Sequence, residues 1–130
     1  MTVVDADVII DALERGREPA RLRVARLLAA GDLAVTAVTV YELTCGGTTT
    51  DRALDRIRTA LAPATVLPVT RDAAYLAAAA NRYLTTRGQA IATPDTLVAG
   101  VCLEAGMPLL TRDVRHFERV PGLRLEPVER

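Results

Sequence analysis

Residues 2–13 read TVVDADVIIDAL, an apolar segment that three aspartates interrupt. Residues 3 and 4 have the composition of a short buried strand, and the residues after Asp5 are predicted to form a helix. A buried carboxylate is costly unless a charged partner or a metal ion compensates it. Because Asp5 directly follows the strand, its partners are expected to come from residues further along the chain.

The rest of the chain alternates short apolar segments with helical patterns. Further strands are predicted at residues 33–35, 66–67, 108–111 and 123–125, and further helices at 18–30, 38–45, 50–61, 70–86, 93–105 and 114–117. Apolar strands separated by helices predict an α/β fold, in which a short, mostly parallel sheet of four to five strands is covered by helices on both faces. Since the sequence shows no repeat and no linker, its 130 residues are expected to form one domain, 1–130.

Composition excludes several classes of mechanism. All sixteen basic residues are arginine, and the chain contains no lysine and no serine, which rules out a serine nucleophile and a catalytic lysine. The formal net charge is zero, so the total charge does not indicate nucleic-acid binding. Cys45 and Cys102 are interpreted as small buried apolar residues rather than as a disulfide or a zinc site. Without a membrane-length apolar segment or a signal-peptide pattern, a soluble cytoplasmic protein is expected.

Four carboxylates occupy positions where a parallel sheet binds ligands. Asp5 and Asp113 follow the first and fourth strands, Asp95 lies in the first turn of a helix that Thr93 is predicted to cap, and Glu42 interrupts an apolar helix. Each has an ordinary explanation when taken singly, such as complementing a helix dipole, capping a helix or facing solvent. Their convergence at the carboxyl ends of the strands predicts a site that a cation must neutralise. All-oxygen donors favour Mg²⁺ or Mn²⁺ over zinc, and such ions polarise phosphoryl groups and activate water.

The order and spacing of these acids resemble the PIN-domain nucleases, and in particular the VapC toxins of bacterial toxin–antitoxin pairs. The resembling segments are residues 4–11 (VDADVIID), 38–43 (VTVYEL), 95–100 (DTLVAG), 110–117 (LTRDVRHF) and 121–123 (PGL). Any one segment is a weak signal, whereas the ordered set is specific and extends over nearly the whole chain.

The resemblance implies a PIN-like three-layer fold and assigns roles to six side chains. The family's catalytic, metal-binding acids fall on Asp5, Glu42, Asp95 and Asp113. Asp5 and Asp95 are expected to be the principal metal ligands. Thr111 matches a family threonine two positions before the fourth acid. Asp7 matches a polar position where relatives often have serine or asparagine, and so adds a negative charge.

The resemblance also implies an activity and partners. The activity is that of a Mg²⁺-dependent endoribonuclease toxin, in which metal-activated water cleaves RNA and leaves 5′-phosphate and 3′-hydroxyl ends. The partners are a second copy of the chain in a homodimer and a small cognate antitoxin, together forming a heterotetramer or a larger assembly. A basic segment of the antitoxin would enter the acidic pocket and compete with the metal.

Several side chains near these positions have simpler interpretations. Asp11 is expected to face solvent, and His116 is expected to be a surface residue rather than a base. Arg112 and Arg115, together with Arg119, are candidates for binding RNA phosphates, although a solvated basic face explains the same pattern.

Two other functional classes remain open from the sequence. Residues 5–8, DADV, also resemble the opening motif of haloacid-dehalogenase-type phosphatases, in which Asp5 would be the nucleophile. Those enzymes need a later basic residue, usually lysine, and a downstream acidic pair, whereas this chain has no lysine and no adjacent acidic pair after Asp7. The second class is a non-catalytic PIN-like module that binds RNA or protein, because a fold alone does not establish activity.

Overall fold

The computed structural model describes residues 1–46 and 50–128, which form a parallel sheet with helices on both faces. Its strands are β1 (Thr2–Val4), β2 (Leu33–Thr36), β3 (Thr65–Leu67), β4 (Leu109–Thr111) and β5 (Leu125–Pro127). Its helices are α1 (Ala6–Leu13), α2 (Ala20–Ala30), α3 (Ala37–Thr44), α4 (Asp51–Leu61), α5 (Arg71–Thr85), α6 (Thr93–Ala105) and α7 (Val114–Phe117). Among these helices, none has the length and apolar character needed to cross a membrane. The predicted α/β class is confirmed.

The sheet has the strand order β3-β2-β1-β4-β5, and each neighbouring pair is parallel. Val3 of the central strand is paired with Ala34 of β2 on one side and with Leu109 of β4 on the other. The chain proceeds from β1 towards β2 and β3, and from β4 in the opposite direction towards β5. The ends of β1 and β4 therefore form a topological switch point, the position at which open α/β sheets bind ligands.

Two apolar cores lie on opposite faces of the sheet, because successive residues of a strand point to opposite sides. Val4 packs with buried residues of α1, α2, α3 and α4, among them Ile9 and Leu43. Val3 packs with buried residues of α5, α6 and α7, among them Phe117. Both valines are fully buried. The alternation of these two residues explains why such a short strand can hold helices on both faces.

Gly100 brings α6 into very close contact with α5. A Cβ atom at this position would lie 2.4 Å from the carbonyl oxygen of Ala73, 2.8 Å from the Cβ of Ala77 and 2.9 Å from its backbone nitrogen. The facing side of α5 is correspondingly built from small residues. Because Asp95 lies in the first turn of the same helix, this contact also helps to set the position of Asp95 at the sheet edge.

The last strand starts later than the sequence predicts. β5 spans Leu125–Pro127 instead of 123–125, because the turn at Gly122, where φ is 80°, continues through Leu123. The strand ends on a proline, which lacks an N–H donor and is tolerated because β5 is at the sheet edge.

Two side-chain predictions are also wrong. Thr93 is the first residue of α6 rather than its capping residue, since Ala92 precedes the helix and provides no side-chain hydrogen bond. Cys102 is buried in α6 as predicted, whereas Cys45 is exposed directly after α3. An exposed position at a helix end offers no apolar surroundings for the thiol.

Candidate active site

Asp5 lies at the carboxyl end of β1, at the switch point of the sheet. The residue is only 7% exposed. One carboxylate oxygen accepts a hydrogen bond from the N–H of Ala6 at 2.9 Å, and the other accepts one from the hydroxyl of Thr111 at 2.8 Å. Burial raises the pKa of Asp5, and these two hydrogen bonds offset only part of that effect. Both donors are neutral, so they orient the carboxylate without neutralising its charge.

Thr111 connects Asp5 with Asp113. It ends β4 and is fully buried. Its hydroxyl donates to Asp5 and accepts a hydrogen bond from the backbone N–H of Asp113 at 3.0 Å. Because a hydroxyl can donate and accept at once, Thr111 fixes the spacing between the ends of two adjacent strands.

The other three predicted acids lie around Asp5. Glu42 comes from α3, Asp95 from the first turn of α6 and Asp113 from the connection between β4 and α7. Burial raises the pKa of Glu42, and the charges of Asp5 and Asp95 raise it further. Burial likewise raises the pKa of Asp95, with additional contributions from the charges of Asp5 and Asp113. The structure therefore brings four mutually repelling carboxylates to one edge of the sheet.

Asp7 adds a fifth carboxylate at the rim of this cluster. It lies in the first turn of α1, and its side chain is 29% exposed. Burial and the charge of Asp5 raise the pKa of Asp7 to about 6. Its Oδ1 is buried without a hydrogen-bond partner among the described residues, and its Oδ2 lies 3.8 Å from Nε of Arg112. The charge of Asp7 is thus only weakly compensated.

The donor chemistry of the cluster fits a hard divalent cation. Carboxylate and hydroxyl oxygens are ligands of Mg²⁺ and Mn²⁺, and a bound cation would offset the burial and the mutual repulsion that raise the pKa values of Asp5, Glu42 and Asp95. Within residues 1–46 and 50–128, no three histidine, cysteine, aspartate or glutamate side chains already form a group that would hold a metal ion. Glu42, Asp95 and Asp113 are each partly exposed, so their side chains are accessible to an ion from solvent.

The expectation that Asp11 faces solvent is wrong. Its side chain is only 4% exposed and contacts three arginines. Oδ1 lies 3.2 Å from Arg15 and 3.8 Å from Arg17, and Oδ2 accepts a hydrogen bond from Arg112. Burial opposes the charged form, but the hydrogen bond and charge of Arg112 and the hydrogen bond of Arg15 outweigh it, so the pKa of Asp11 is lowered.

Asp11→Asn is expected to destabilise the protein by about 2 kcal/mol at pH 7, the scale of hydrogen bonds to charged groups. A carboxylate whose pKa is lowered by folding stabilises the native state above its unfolded pKa of about 3.9, and that contribution is lost as the pH falls through the folded pKa. Urea unfolding should therefore show the difference at pH 7 and a smaller one at about pH 3. Glu18→Gln, which removes an exposed ion pair with Arg21, serves as the control and should change stability by less than about 0.5 kcal/mol. An equal loss for Asp11→Asn at both pH values would show that its charge is not the stabilising feature.

His116 is a surface residue as predicted, with a side chain that is 47% exposed, but it has a partner. Its Nδ1 lies 2.7 Å and 2.8 Å from the two carboxylate oxygens of Asp113. Asp113 consequently makes no side-chain hydrogen bond that caps α7. The imidazole therefore orients the carboxylate of Asp113, whereas Thr111 holds its backbone N–H.

The candidate RNA-binding arginines lie near the cluster, but they differ in what they contact. Arg112 pairs with Asp11 and approaches Asp7, while Arg119 donates a hydrogen bond to the carbonyl of Gln89 at 3.3 Å. Arg115 is exposed on α7. Arg115 is therefore the candidate with the fewest ties to the folded chain among those that the structure describes.

The chain shares its fold with several solved structures. DNA-bound VapBC from Salmonella typhimurium matches with a TM-score of 0.87 and 23% identity over 98% of this chain and 99% of that chain. VapBC2 from Rickettsia felis, bound to a DNA fragment from its promoter, matches with a TM-score of 0.86 and 16% identity over 97% of both chains. VapBC-5 from Mycobacterium tuberculosis matches with a TM-score of 0.68 and 24% identity over 97% of this chain and 95% of that chain. No curated protein matches the sequence.

The sequence itself matches a family model. The PIN domain model aligns with residues 2–123, a range that contains Asp5, Glu42, Asp95 and Asp113 and all the strands except β5. This range is most of the chain, and the VapBC structures from Rickettsia felis and Salmonella typhimurium share its fold over nearly their whole length. The chain belongs to the PIN domain family.

Proposed function

We propose that this chain is a Mg²⁺-dependent endoribonuclease of the VapC type, acting as a single domain over residues 1–130 and inhibited by a cognate antitoxin. PIN domains are nucleases, which supports an enzyme acting on nucleic acid. The observation that carries the proposal is the buried Asp5, held by Thr111 at the switch point and surrounded by Glu42, Asp95 and Asp113. Such a cluster disfavours its own charge unless a cation is bound, as expected of a metal site rather than of a structural ion pair.

The protein side chains have distinct tasks in this proposal. Asp5 and Asp95 would hold the ion, with Glu42 and Asp113 completing the acidic set. When bound, Mg²⁺ or Mn²⁺ supplies the positive charge that activates water and stabilises the leaving oxygen of a phosphodiester. Thr111 keeps Asp5 oriented through its hydrogen bond. The position of Asp95 in the first turn of α6 places its charge where the helix dipole favours it.

The cluster needs cationic groups beside it because RNA and the acidic site carry the same sign of charge. Arg115 is the better placed of the two proposed RNA-binding residues, since it is exposed on α7 next to the end of β4. Arg112 is 46% exposed, but Asp11 engages its guanidinium. We therefore assign RNA phosphate binding to Arg115, whereas the contact with Asp11 makes Arg112 the less favoured of the two predicted candidates.

The proposal is tested by incubating the purified protein with a panel of structured RNAs and with DNA oligonucleotides of matched sequence, in Mg²⁺, Mn²⁺ or EDTA. We expect cleavage of at least one RNA that depends on metal and leaves ligatable 5′-phosphate ends. Cleavage of DNA only would keep a nuclease but reject the RNA specificity. If metal-loaded protein binds RNA without cutting it, the non-catalytic alternative is correct.

The partner is tested in cells. Solved structures with this fold include a toxin–antitoxin complex from Klebsiella pneumoniae, with a TM-score of 0.75 and 22% identity. We propose that this chain is likewise toxic when expressed alone and is neutralised by a small protein encoded next to it. Growth rescue by that neighbour, together with a complex larger than a heterodimer in light scattering, is the expected result. Unchanged toxicity on co-expression would reject this partner while leaving the nuclease proposal intact.

A further inference from the structure

Asp11 and Arg112 join two parts of the chain that carry the candidate active-site residues. Asp11 lies on α1, the helix that Asp5 caps, and Arg112 lies between Thr111 and Asp113. We propose that this pair positions the active site by holding the connection between β4 and α7 against α1. The inference rests on the proposed nuclease function, and it deepens that function by assigning roles to two residues that touch neither metal nor scissile bond.

The contacts form a closed path. Arg112 donates a hydrogen bond to Oδ2 of Asp11. Its neighbour Thr111 donates to Asp5 at 2.8 Å, and the N–H of Asp113 donates back to Thr111 at 3.0 Å. From Asp5 the chain continues through α1 to Asp11. The links are hydrogen bonds, the peptide bond between Thr111 and Arg112 and the turns of α1, so removing either hydrogen bond opens the path.

Asp11 is placed to bind Arg112 rather than to take part in catalysis. Its side chain is 4% exposed, and both of its carboxylate oxygens already face arginines. Burial removes competing water, which strengthens the remaining charge-assisted hydrogen bonds. The planar guanidinium of Arg112 presents donors in a fixed arrangement, which transmits orientation better than an ammonium group does.

Of the three arginines around Asp11, Arg112 is the one that is distant in sequence. Arg15 and Arg17 follow Asp11 by four and six residues, so their contacts remain local to the end of α1. Arg112 reaches Asp11 across 101 positions of sequence. Of these three arginines, Arg112 alone connects Asp11 with the residues that follow β4, and Arg15 offers a matched control for the loss of one cation.

Positioning and direct RNA binding by Arg112 predict different kinetics. A residue that binds an RNA phosphate contributes chiefly to KM and to salt dependence. If Arg112 acted in that way, Asp11→Asn would free its guanidinium and lower KM. A positioning pair instead affects kcat, because a displacement of about 1 Å in catalytic groups can cost on the order of a hundredfold in rate.

The test uses the full chain with the substitutions Asp11→Asn, Arg112→Gln, the double variant, Arg112→Lys and the control Arg15→Gln. The first measurement is hydrogen exchange of the Asp113 amide by NMR without metal. We expect this amide to exchange at least about tenfold faster in Asp11→Asn and Arg112→Gln and less than threefold faster in Arg15→Gln. Arg112→Lys retains charge on an exposed side chain, so it is expected to fold and to give an intermediate value.

The second measurement is the steady-state cleavage of RNA with Mg²⁺ at a temperature well below every melting transition. We expect kcat to fall at least about tenfold in both single variants, KM to change less than threefold, and the double variant to be no slower than the slower single variant. Unchanged exchange of the Asp113 amide in Asp11→Asn and Arg112→Gln would overturn the inference whatever the activity. Accelerated exchange in a protein that cleaves no RNA would support the positioning contact and reject the proposed function instead.

Discussion

Asp95→Asn is expected to reduce RNA cleavage by at least about a hundredfold. Loss of a residue that only hydrogen-bonds to a metal ligand costs up to about a hundredfold in activity, and a direct ligand should matter at least as much. Asparagine keeps the shape of the side chain and a polar group in the first turn of α6, so the fold should persist. What it removes is one of the negative charges that face Asp5. The measurement is initial cleavage rate in Mg²⁺ on the RNA that wild type cuts best.

The same substitution is expected to leave the protein at least as stable as wild type in EDTA. Burial and the charges of Asp5 and Asp113 raise the pKa of Asp95, so the folded state binds more protons than the unfolded chain between about pH 3.9 and the folded pKa. Stability therefore falls as the pH rises through that window, and the charged form of Asp95 carries an energetic penalty above the folded pKa. Asparagine removes this penalty and loses only a few tenths of a kcal/mol, roughly, of helix-dipole interaction.

Saturating Mg²⁺ should make wild type more stable than the Asp95→Asn variant. A ligand that binds only the native state stabilises it by about 2.7 kcal/mol at a hundredfold excess over Kd. Wild type should gain this increment in saturating Mg²⁺, and Asp95→Asn should gain much less. Asp72→Asn is the matched control, because Asp72 also lies in the first turn of a helix, α5, and is exposed. The control should retain both activity and the full Mg²⁺ shift, whereas an Asp95→Asn variant that retains both would remove Asp95 from the site.

The fold was predictable because its signals are local. Short apolar segments between amphipathic helices indicate a parallel sheet buried on both faces, and Val3 and Val4 show that arrangement in two consecutive residues. The helix predicted over 70–86 is observed as α5, which Thr70 caps, with its hydroxyl accepting from the N–H of Ala73 at 3.1 Å. The errors at β5 and at Thr93 concern boundaries, where the path of a turn decides which residue begins an element.

The placement of the acids was predictable from topology, because the carboxyl ends of adjacent parallel strands meet at one edge. The hydrogen-bond partners of these acids were only partly predictable from the sequence. His116 follows Asp113 by three residues, a spacing that brings side chains together on a helix and could have revealed the contact. Arg15 follows Asp11 by four residues and gave a similar local signal.

Arg112 is the partner that the sequence could not reveal. Its contact with Asp11 depends on β4 lying directly beside β1, a feature of strand order rather than of any local pattern. The same strand order brings the hydroxyl of Thr111 to Asp5. Long-range contacts of this kind decide whether a carboxylate inside an apolar helix is solvated, ion-paired or available for metal.

Membership of the PIN domain family weakens the phosphatase alternative but not the alternative of a non-catalytic PIN-like module. The PIN domain match covers residues 2–123 and accounts for Asp5 together with the later acids, whereas the phosphatase alternative rests on residues 5–8 alone. A phosphatase would also need a basic residue that the lysine-free chain supplies only as arginine. Covalent trapping of a phosphate analogue on Asp5 would be required to restore it. A non-catalytic PIN-like module would have the same fold, so only the RNA-cleavage assay distinguishes it from the proposed nuclease.

Gly100→Ala is expected to destabilise the protein by about 3 kcal/mol, at the upper end of the usual range for overpacking. The new methyl group would lie 2.4 Å from the carbonyl oxygen of Ala73 and 2.9 Å from the backbone nitrogen of Ala77. Backbone atoms cannot move aside as a flexible side chain can, so α5 and α6 must separate. For a chain of this size the melting temperature should fall by roughly 10 °C.

The direction of the change in stability distinguishes a close helix contact from an ordinary position inside a helix. Without the close helix contact, replacing a glycine inside a helix by alanine would stabilise the protein by about 1 kcal/mol through helix propensity. The double variant Gly100→Ala with Ala77→Gly identifies the obstacle, because it removes the Ala77 methyl group but leaves the backbone atoms of Ala73 and Ala77 in place. We expect no recovery of stability in the double variant. Recovery to the wild-type melting temperature would show that the contact is between side chains, and a more stable single variant would show that α5 and α6 do not approach as closely as the structure describes.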